Sequence, residues 1–297
     1  MFSEIFDFLK DKDFKYKECV NLNKLSAARI GGIAPLVVYP NGTQQLLLLI
    51  RYLQNNDFRY KILGRMTNIL FKRDLYDEVF ISTCDMGGVE LSENHLTAEC
   101  GVSIPFLSLM TAERGLSGFE ALSGIPASCG GAVRSNAGAF GTEISDILDE
   151  VMVFDRVSEQ IRTLGVDECD FSYRHSIFHS NLYVILSAVF RLNKTEDDVH
   201  GRIRCFRQRR IDTQPTSERS LGSTFKRPKG AYAAELIDKC SLKGTRVGGV
   251  KISEKHAGFI VNIGSGTADD YLELMALVSR TVYDRFGVVL EPEIEIY

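Results

Sequence analysis

The chain has 297 residues, 44% of them hydrophobic and 25% charged, with a net charge of −4 and a sequence pI of about 5.8. That length outgrows a single core and predicts two or three domains, and the ordinary composition excludes a disordered or fibrous protein. The acidic balance argues against a nucleic-acid partner.

Seven cysteines are scattered at 19, 84, 100, 129, 169, 205 and 240 without a C-x-x-C pair, which fits a reducing cytosol better than a disulfide or metal framework. The N-terminus is mixed in charge and lacks the apolar core of a signal peptide. The longest apolar run, Leu46 to Ile50, is too short to span a bilayer. A cytoplasmic protein without a membrane partner is expected.

Phe2, Ile5, Phe6 and Leu9 stand at helical spacing within residues 1–17. A turn from Asn21 to Gly32 feeds a strand at Leu36 to Pro40, then a helix at Gln44 to Gln54. A strand at Tyr60 to Leu63 runs into the turn Gly64 to Asn68, and another strand follows at Glu78 to Ser82. Together these predict a βαβ-type unit. Leu96 to Cys100 reads as a strand and Pro105 to Arg114 as a helix closed by Gly115.

Next comes Gly124 to Gly141, where five of eighteen residues are glycine and seven more are Ala, Ser or Cys. So bare a backbone suits tight bends and main-chain N–H groups aimed at phosphates; the competing reading is a loop that lets two layers pack closely. Asp149 to Asp155 and Leu182 to Leu192 alternate as strands. Thr195 to Ile211 carries arginines at 202, 204, 207, 209 and 210 beside one apolar stripe, and reads as a helix with a solvated basic face.

Asp212 to Ser220 resembles a domain boundary. Beyond it come a helix at Ala231 to Cys240, strands at Arg246 to Val250 and Ala257 to Asn262, and a turn at Gly264 to Gly266. A helix from Asp269 to Arg285 follows, opened by Thr267 with Asp270 and stopped by Gly287. Val288 to Tyr297 closes the chain as a strand.

No P-loop, H-E-x-x-H or G-x-S-x-G motif is present, and His175 with His179 sits among aromatics unsuited to a metal, so none is expected. Four places could carry chemistry. These are the loops at 64–68 and 124–141, the run Ser172 to Ser176 with Arg174 beside Tyr173, the run Gly222 to Lys226, and Glu291-Pro292-Glu293. Each is also open to a structural reading as an ion-paired arginine, a capping serine or a surface glutamate. Residues 213–260 hold nine Lys or Arg against four Asp or Glu, an excess of 9 − 4 = +5, which suits a small anionic ligand. Arg174, Ser223 and Glu293, if convergent, would offer a cation, a proton donor and an acid.

In order, the chain carries G-L-S-G-F-E-A-L-S-G-I-P-A-S-C-G-G-A-V-R-S-N-A-G-A-F-G, F-S-Y-R-H-S-I-F, G-S-T-F-K-R-P, L-K-G-T-R-V-G-G-V-K-I-S-E-K-H-A-G-F-I-V-N and L-E-P-E. From Asn21 to the C-terminus it resembles the UDP-N-acetylenolpyruvoylglucosamine reductase (MurB) family, in its shorter subtype. The resemblance implies an α+β protein, with a two-subdomain FAD-binding fold of the vanillyl-alcohol-oxidase (PCMH) type and a smaller α+β substrate-binding domain. It divides the chain into residues 1–83, then 84–212 joined by a C-terminal strand at 290–297, and a UDP-sugar domain at 213–289.

It further implies that NADPH reduces FAD, and that hydride passes to the enolpyruvyl methylene to give UDP-N-acetylmuramate for peptidoglycan. Arg174 and Glu293 would polarise the carboxylate and stabilise the enol, and Ser223 would protonate the adjacent carbon. FAD contacts would fall to Gly64, Arg65, Thr67, Asn68, Ile125, Pro126, Ser128, Gly130, Gly131, Ala132, Asn136 and Gly138, most main-chain donors coming from the longer loop. Lys226, Arg227 and Lys255 would meet the sugar nucleotide, and a monomer is expected.

The chain departs from the family at three points. Met66 stands where the first loop has glycine, Ala27-Ala28 replaces a Thr-Phe pair, and Arg227 replaces Asn. These departures motivate a second reading, a paralogue that binds a UDP-sugar or flavin without efficient turnover. A third is a sugar or alcohol oxidase on the same flavin fold.

Overall fold

The structure, a computed structural model, describes residues 3–297. Phe2 lies outside the described residues; the first helix, Ser3–Asp11, buries Ile5 and Leu9 as their spacing predicts. The chain forms two compact units. Unit 1 takes the stretch through Glu18, Pro35–Arg65 and Asp77–Gln208; unit 2 takes Cys19–Ala34, Met66–Tyr76 and Arg209–Tyr297. Residues 19–34 and 66–76 thus group with the C-terminal residues.

A four-stranded sheet runs in the order Lys15–Asn21, Ile33–Tyr39, Val79–Ser82, Tyr60–Leu63. The strand-helix-strand reading holds, but the two strands joined by the helix are not neighbours. Val79–Ser82 lies between them, pairing in parallel through Leu36↔Val79 on one side and Tyr60↔Val79 on the other. The helix Thr43–Asn55 buries Leu46, Leu49, Ile50 and Leu53, one apolar face in the same core as those strands. The N–H and hydroxyl of Thr43 both donate to Glu99 Oε1, each at 2.9 Å.

A five-stranded antiparallel sheet runs Gln160–Gly165, Leu148–Asp155, Tyr183–Arg191, His95–Glu99, Val89–Ser92. Its two outer strands escape a pattern reading, and Gln160–Gly165 is exposed at four of six residues, so no apolar alternation marks it. Within the Gly-rich stretch, Cys129–Arg134 is a helix, with Ser128 at its N-cap.

Unit 2 has its own core. Its sheet runs Arg219–Ser223, Phe259–Asn262, Val250–Ile252, Arg246–Val247 and is covered by the helix Ala268–Phe286. That helix buries Tyr271, Leu274, Met275, Val278 and Val282. Its start and stop follow the reading from sequence. Asp270 N–H donates to Thr267 Oγ1 at 3.1 Å, and Gly287 closes the helix at φ 65°.

The C-terminal strand shortens to Glu295–Ile296 and pairs in parallel with Ile69–Leu70, rather than with a strand of 84–212. Upstream of it lies an isolated bridge, Phe225↔Pro292, whose bonds come from the residues on either side, so the proline's missing N–H is not called on.

Candidate functional site

In unit 1 the two predicted loops meet at one serine. A Cβ on Gly64 would stand 2.3 Å from Ser128 Oγ, and one on Gly131 3.2 Å from the same atom. Ser128 is buried and caps its short helix by accepting from Gly131 N–H at 3.3 Å. Arg65 and Pro126 are exposed, and Ile125 packs partly buried on the core.

The longer loop does not present the row of donors expected of it. Cys129 N–H goes to Val102 O at 2.7 Å, Gly130 N–H to Cys100 O at 2.8 Å, and Ala132 N–H to Ser128 O at 2.8 Å. With Gly131 N–H on Ser128, four consecutive donors already have protein acceptors. Gly130 instead serves the packing reading, since a Cβ there would meet Cys100 Cβ at 2.8 Å.

The end of the loop is a small hairpin. Gly138–Ala139 pairs with Thr142–Glu143 across the two-residue turn Phe140-Gly141, with φ 52° and 88° as a type I′ turn requires. Phe140 stacks on Phe206, ring centroids 5.2 Å apart. Asn136, 1% exposed and at φ 42°, ties this hairpin down. Its amide donates to Glu143 Oε2 at 2.8 Å and Ser172 O at 3.1 Å, and its Oδ1 accepts from Ser145 N–H at 3.1 Å.

Arg174 also sits at positive φ, 55°. Its guanidinium donates to Gly138 O at 2.8 Å and Asn136 O at 3.3 Å, and lies 5.0 Å from the Tyr173 ring centroid. Glu143 Oε1 is 3.7 Å from it. Sequence reading picked out Arg174 and passed over Glu143; the only signal for it was the F-G pair that turns the hairpin. His175 and His179 stack their rings, and among the described residues no group of three or more His, Cys, Asp or Glu is arranged to hold a metal.

In unit 2 the serine run and the E-P-E run lie side by side. Glu293 N–H donates to Thr224 O at 2.8 Å and Lys226 N–H to Glu291 O at 2.8 Å. Ser223, half-buried, ends the strand that pairs through Ser223↔Phe259, next to Gly222 at φ 80° and an interruption of register. Lys226 Nζ lies 3.8 Å from Glu291 Oε2.

Asn68 holds the same segment from the other side. Its amide donates to Glu293 O at 3.1 Å, and its carbonyl accepts from Glu295 N–H at 2.9 Å. Thr67, half-buried, stands between it and Met66, which takes φ 52° while 8% exposed; its carbonyl accepts from Ala27 N–H at 3.1 Å. Glycine's place is therefore filled by a side chain that must be held left-handed. Ala28 is fully buried, and its carbonyl accepts from Asn262 at 2.8 Å. Arg227 lies over the Tyr232 ring, 4.6 Å from its centroid, and Lys255 reaches Ile211 O.

Residues 34–164 match the family described as FAD binding domain, and residues 214–297 match the C-terminal domain of UDP-N-acetylenolpyruvoylglucosamine reductase. A reductase of that name from Caldicellulosiruptor saccharolyticus is 39% identical over 97% of this chain and 91% of its own. One from Syntrophomonas wolfei is 36% identical over 100% and 99%. The crystal structure of UDP-N-acetylenolpyruvylglucosamine reductase from Thermus caldophilus superposes with a TM-score of 0.80 at 30% identity, covering 96% of this chain and 98% of that one. A berberine bridge enzyme variant shares the fold over 64% of the chain and 43% of its own, with a TM-score of 0.51 at 12% identity. With likeness at this level from end to end, the chain belongs to the UDP-N-acetylenolpyruvoylglucosamine reductase family.

Proposed function

We propose that this chain reduces UDP-N-acetylglucosamine enolpyruvate to UDP-N-acetylmuramate in peptidoglycan synthesis, with FAD as cofactor and NADPH as electron donor. The residues present fit a flavin dinucleotide. Gly64 and Gly131 leave Ser128 approached by bare backbone from both loops, and exposed Arg65 adds a cation for the diphosphate beside it. When bound, FAD supplies the hydride that NADPH donates, delivered to the methylene carbon of the enolpyruvyl group.

The chain's own residues do the rest. Arg174 orients the substrate carboxylate and takes up the charge that hydride addition drives onto it, and Glu293 stabilises the enol form. Ser223 gives a proton to the adjacent carbon. The Ser223-to-Lys226 and Glu291-to-Glu293 runs are joined by two main-chain hydrogen bonds, and that pairing carries the reading. Lys226, Arg227 and Lys255 contact the sugar nucleotide.

In this reading residues 1–83 and 84–212 are the flavin subdomains and 213–289 the UDP-sugar domain. The protein works as a cytoplasmic monomer serving cell-wall growth, shape and division. Seven free cysteines suit a reducing compartment, and among the described residues no helix is long and apolar enough to cross a membrane. The two full-length relatives and the Thermus caldophilus structure, each named a reductase, favour this reading over a non-catalytic binder.

Sugar-dependent NADPH consumption tests the assignment. Ser223→Ala should lower it by about 10²–10⁴-fold while the protein keeps its flavin colour, and Ser223→Cys should recover part. Turnover within a fewfold of the parent would reduce Ser223 to a strand-end residue.

A further inference from the structure

Arg174 is held by more than its proposed task requires. Two main-chain carbonyls and a carboxylate from the hairpin and its approach, with the aromatic face of Tyr173 beside it in sequence, surround its guanidinium. The carboxylate, Glu143, is itself held. Its Oε2 accepts from the buried amide of Asn136 at 2.8 Å, and its N–H donates to Asp146 Oδ2 at 2.7 Å. Glu143 pairs with Gly138 across the hairpin, and Gly138 is the residue whose carbonyl takes Arg174 Nη2.

The absence of a side chain at 138 makes this meeting possible. A Cβ there would come within 2.8 Å of Glu143 Cγ and 3.3 Å of Arg174 Nη1. Asn136, Phe140 and Arg174 all adopt left-handed backbone, a local cost that persists only where the surroundings over-determine it. A carboxylate near a guanidinium that must bind another carboxylate is also a cost, since it weakens the cation. What it supplies in return is orientation.

We propose that Glu143 is a positioning residue: it fixes the plane of the Arg174 guanidinium, through its charge and its bond to Asn136, so that the guanidinium meets the substrate carboxylate in the geometry hydride addition needs. This role rests on the functional reading above. It predicts a defect confined to the substrate half of the cycle. A hydrogen-bond scaffold alone would not need the charge, and Glu143→Gln separates the two because it keeps the length and the acceptor for Asn136.

The test follows the two halves anaerobically in the flavin-loaded enzyme. In Glu143→Gln, bleaching by NADPH should stay within about twofold of the parent. Return of colour with the enolpyruvyl sugar should slow by about tenfold or more, the scale expected when a binding group is misaligned, and kcat should fall more than KM rises. Gly138→Ala, which pushes the carboxylate aside with its charge intact, should slow the same step. A Gln variant that cycles within about twofold throughout, or that loses both halves or its flavin equally, overturns the role. A parent that never regains colour with the sugar overturns the functional reading instead, and the role with it.

Discussion

Met66 carries two opposing terms. Left-handed backbone at a residue with a Cβ costs about 1–2 kcal/mol, whereas burying a methionine side chain contributes about 1.5–3 kcal/mol. At 8% exposure the burial term wins. Met66→Gly should therefore lower stability by about 1 kcal/mol, a fall of roughly 2–4 °C in melting temperature, while flavin retention stays equal or improves. A higher melting temperature would mean that strain dominates, and weaker flavin retention that the side chain itself serves the cofactor. The glycine-for-methionine exchange was legible in the sequence as a departure, but its sign was not, because burial comes from the rest of the unit.

His256 gives a pH-dependent term. Burial, and then the nearby Lys243 charge, hold its imidazole below the ordinary 6.5. The unfolded chain then binds the proton more readily than the folded one. Stability is full above 6.5 and falls as pH drops through that value, levelling off below the folded pKa. Asp270, held below 3.8 by the Gly249 and Thr267 N–H groups, contributes its own loss only in more acid solution. Melting curves from neutral to mildly acid pH should show the slope, and His256→Gln should flatten it. An unchanged slope would assign it to other groups.

At the scale of elements, the short helix Cys129–Arg134 and the long helix Ala268–Phe286 fold for different reasons. The second is written locally, in a threonine cap, an apolar stripe and a closing glycine, and its predicted ends were within one residue. Thr267→Ala should cost about 1 kcal/mol. The first contains Gly130 and Gly131, poor helix formers, and exists because its backbone lies against Cys100. No periodicity announces such a contact. Gly130→Ala should cost about 1–3 kcal/mol by overpacking, more than the cap change, and thermal melts of the two variants would rank them. The opposite ranking would mean the helix can shift to admit a methyl. The Gly138-to-Glu143 hairpin was missed for a related reason, since its strands are two residues each and its turn places Phe140, rarely left-handed, in the first position.

For the whole molecule, each unit has its own core, and that of unit 1 has buried thiols to report on it. Burial pushes the Cys100 thiol up to about 12 and Cys169 up to about 11, and raises Cys129 as well. Alkylation of the native protein should label exposed Cys19, Cys84 and Cys205 and spare those three until unit 1 unfolds. Early labelling of Cys100 would show that the end of the strand His95–Glu99, beside the short helix, opens on its own.

Arg174, Ser223 and Glu293, the residues proposed for catalysis, could be picked out because each sits in a short, distinctive run. The joining of the Gly222-to-Lys226 run to the Glu291-to-Glu293 run was not legible, since it depends on main-chain bonds between segments some seventy residues apart. The division into units was only partly legible, because 19–34 and 66–76 join the C-terminal core through packing that no composition shift marks.

The most direct measurement of the central claim is an anaerobic titration of the yellow protein, first with NADPH and then with UDP-N-acetylglucosamine enolpyruvate. One equivalent of NADPH should bleach the flavin, one equivalent of the sugar should restore it, and the sugar should emerge two hydrogens heavier. A protein that takes up no flavin, or whose bleached flavin returns only when oxygen is admitted, would contradict the account.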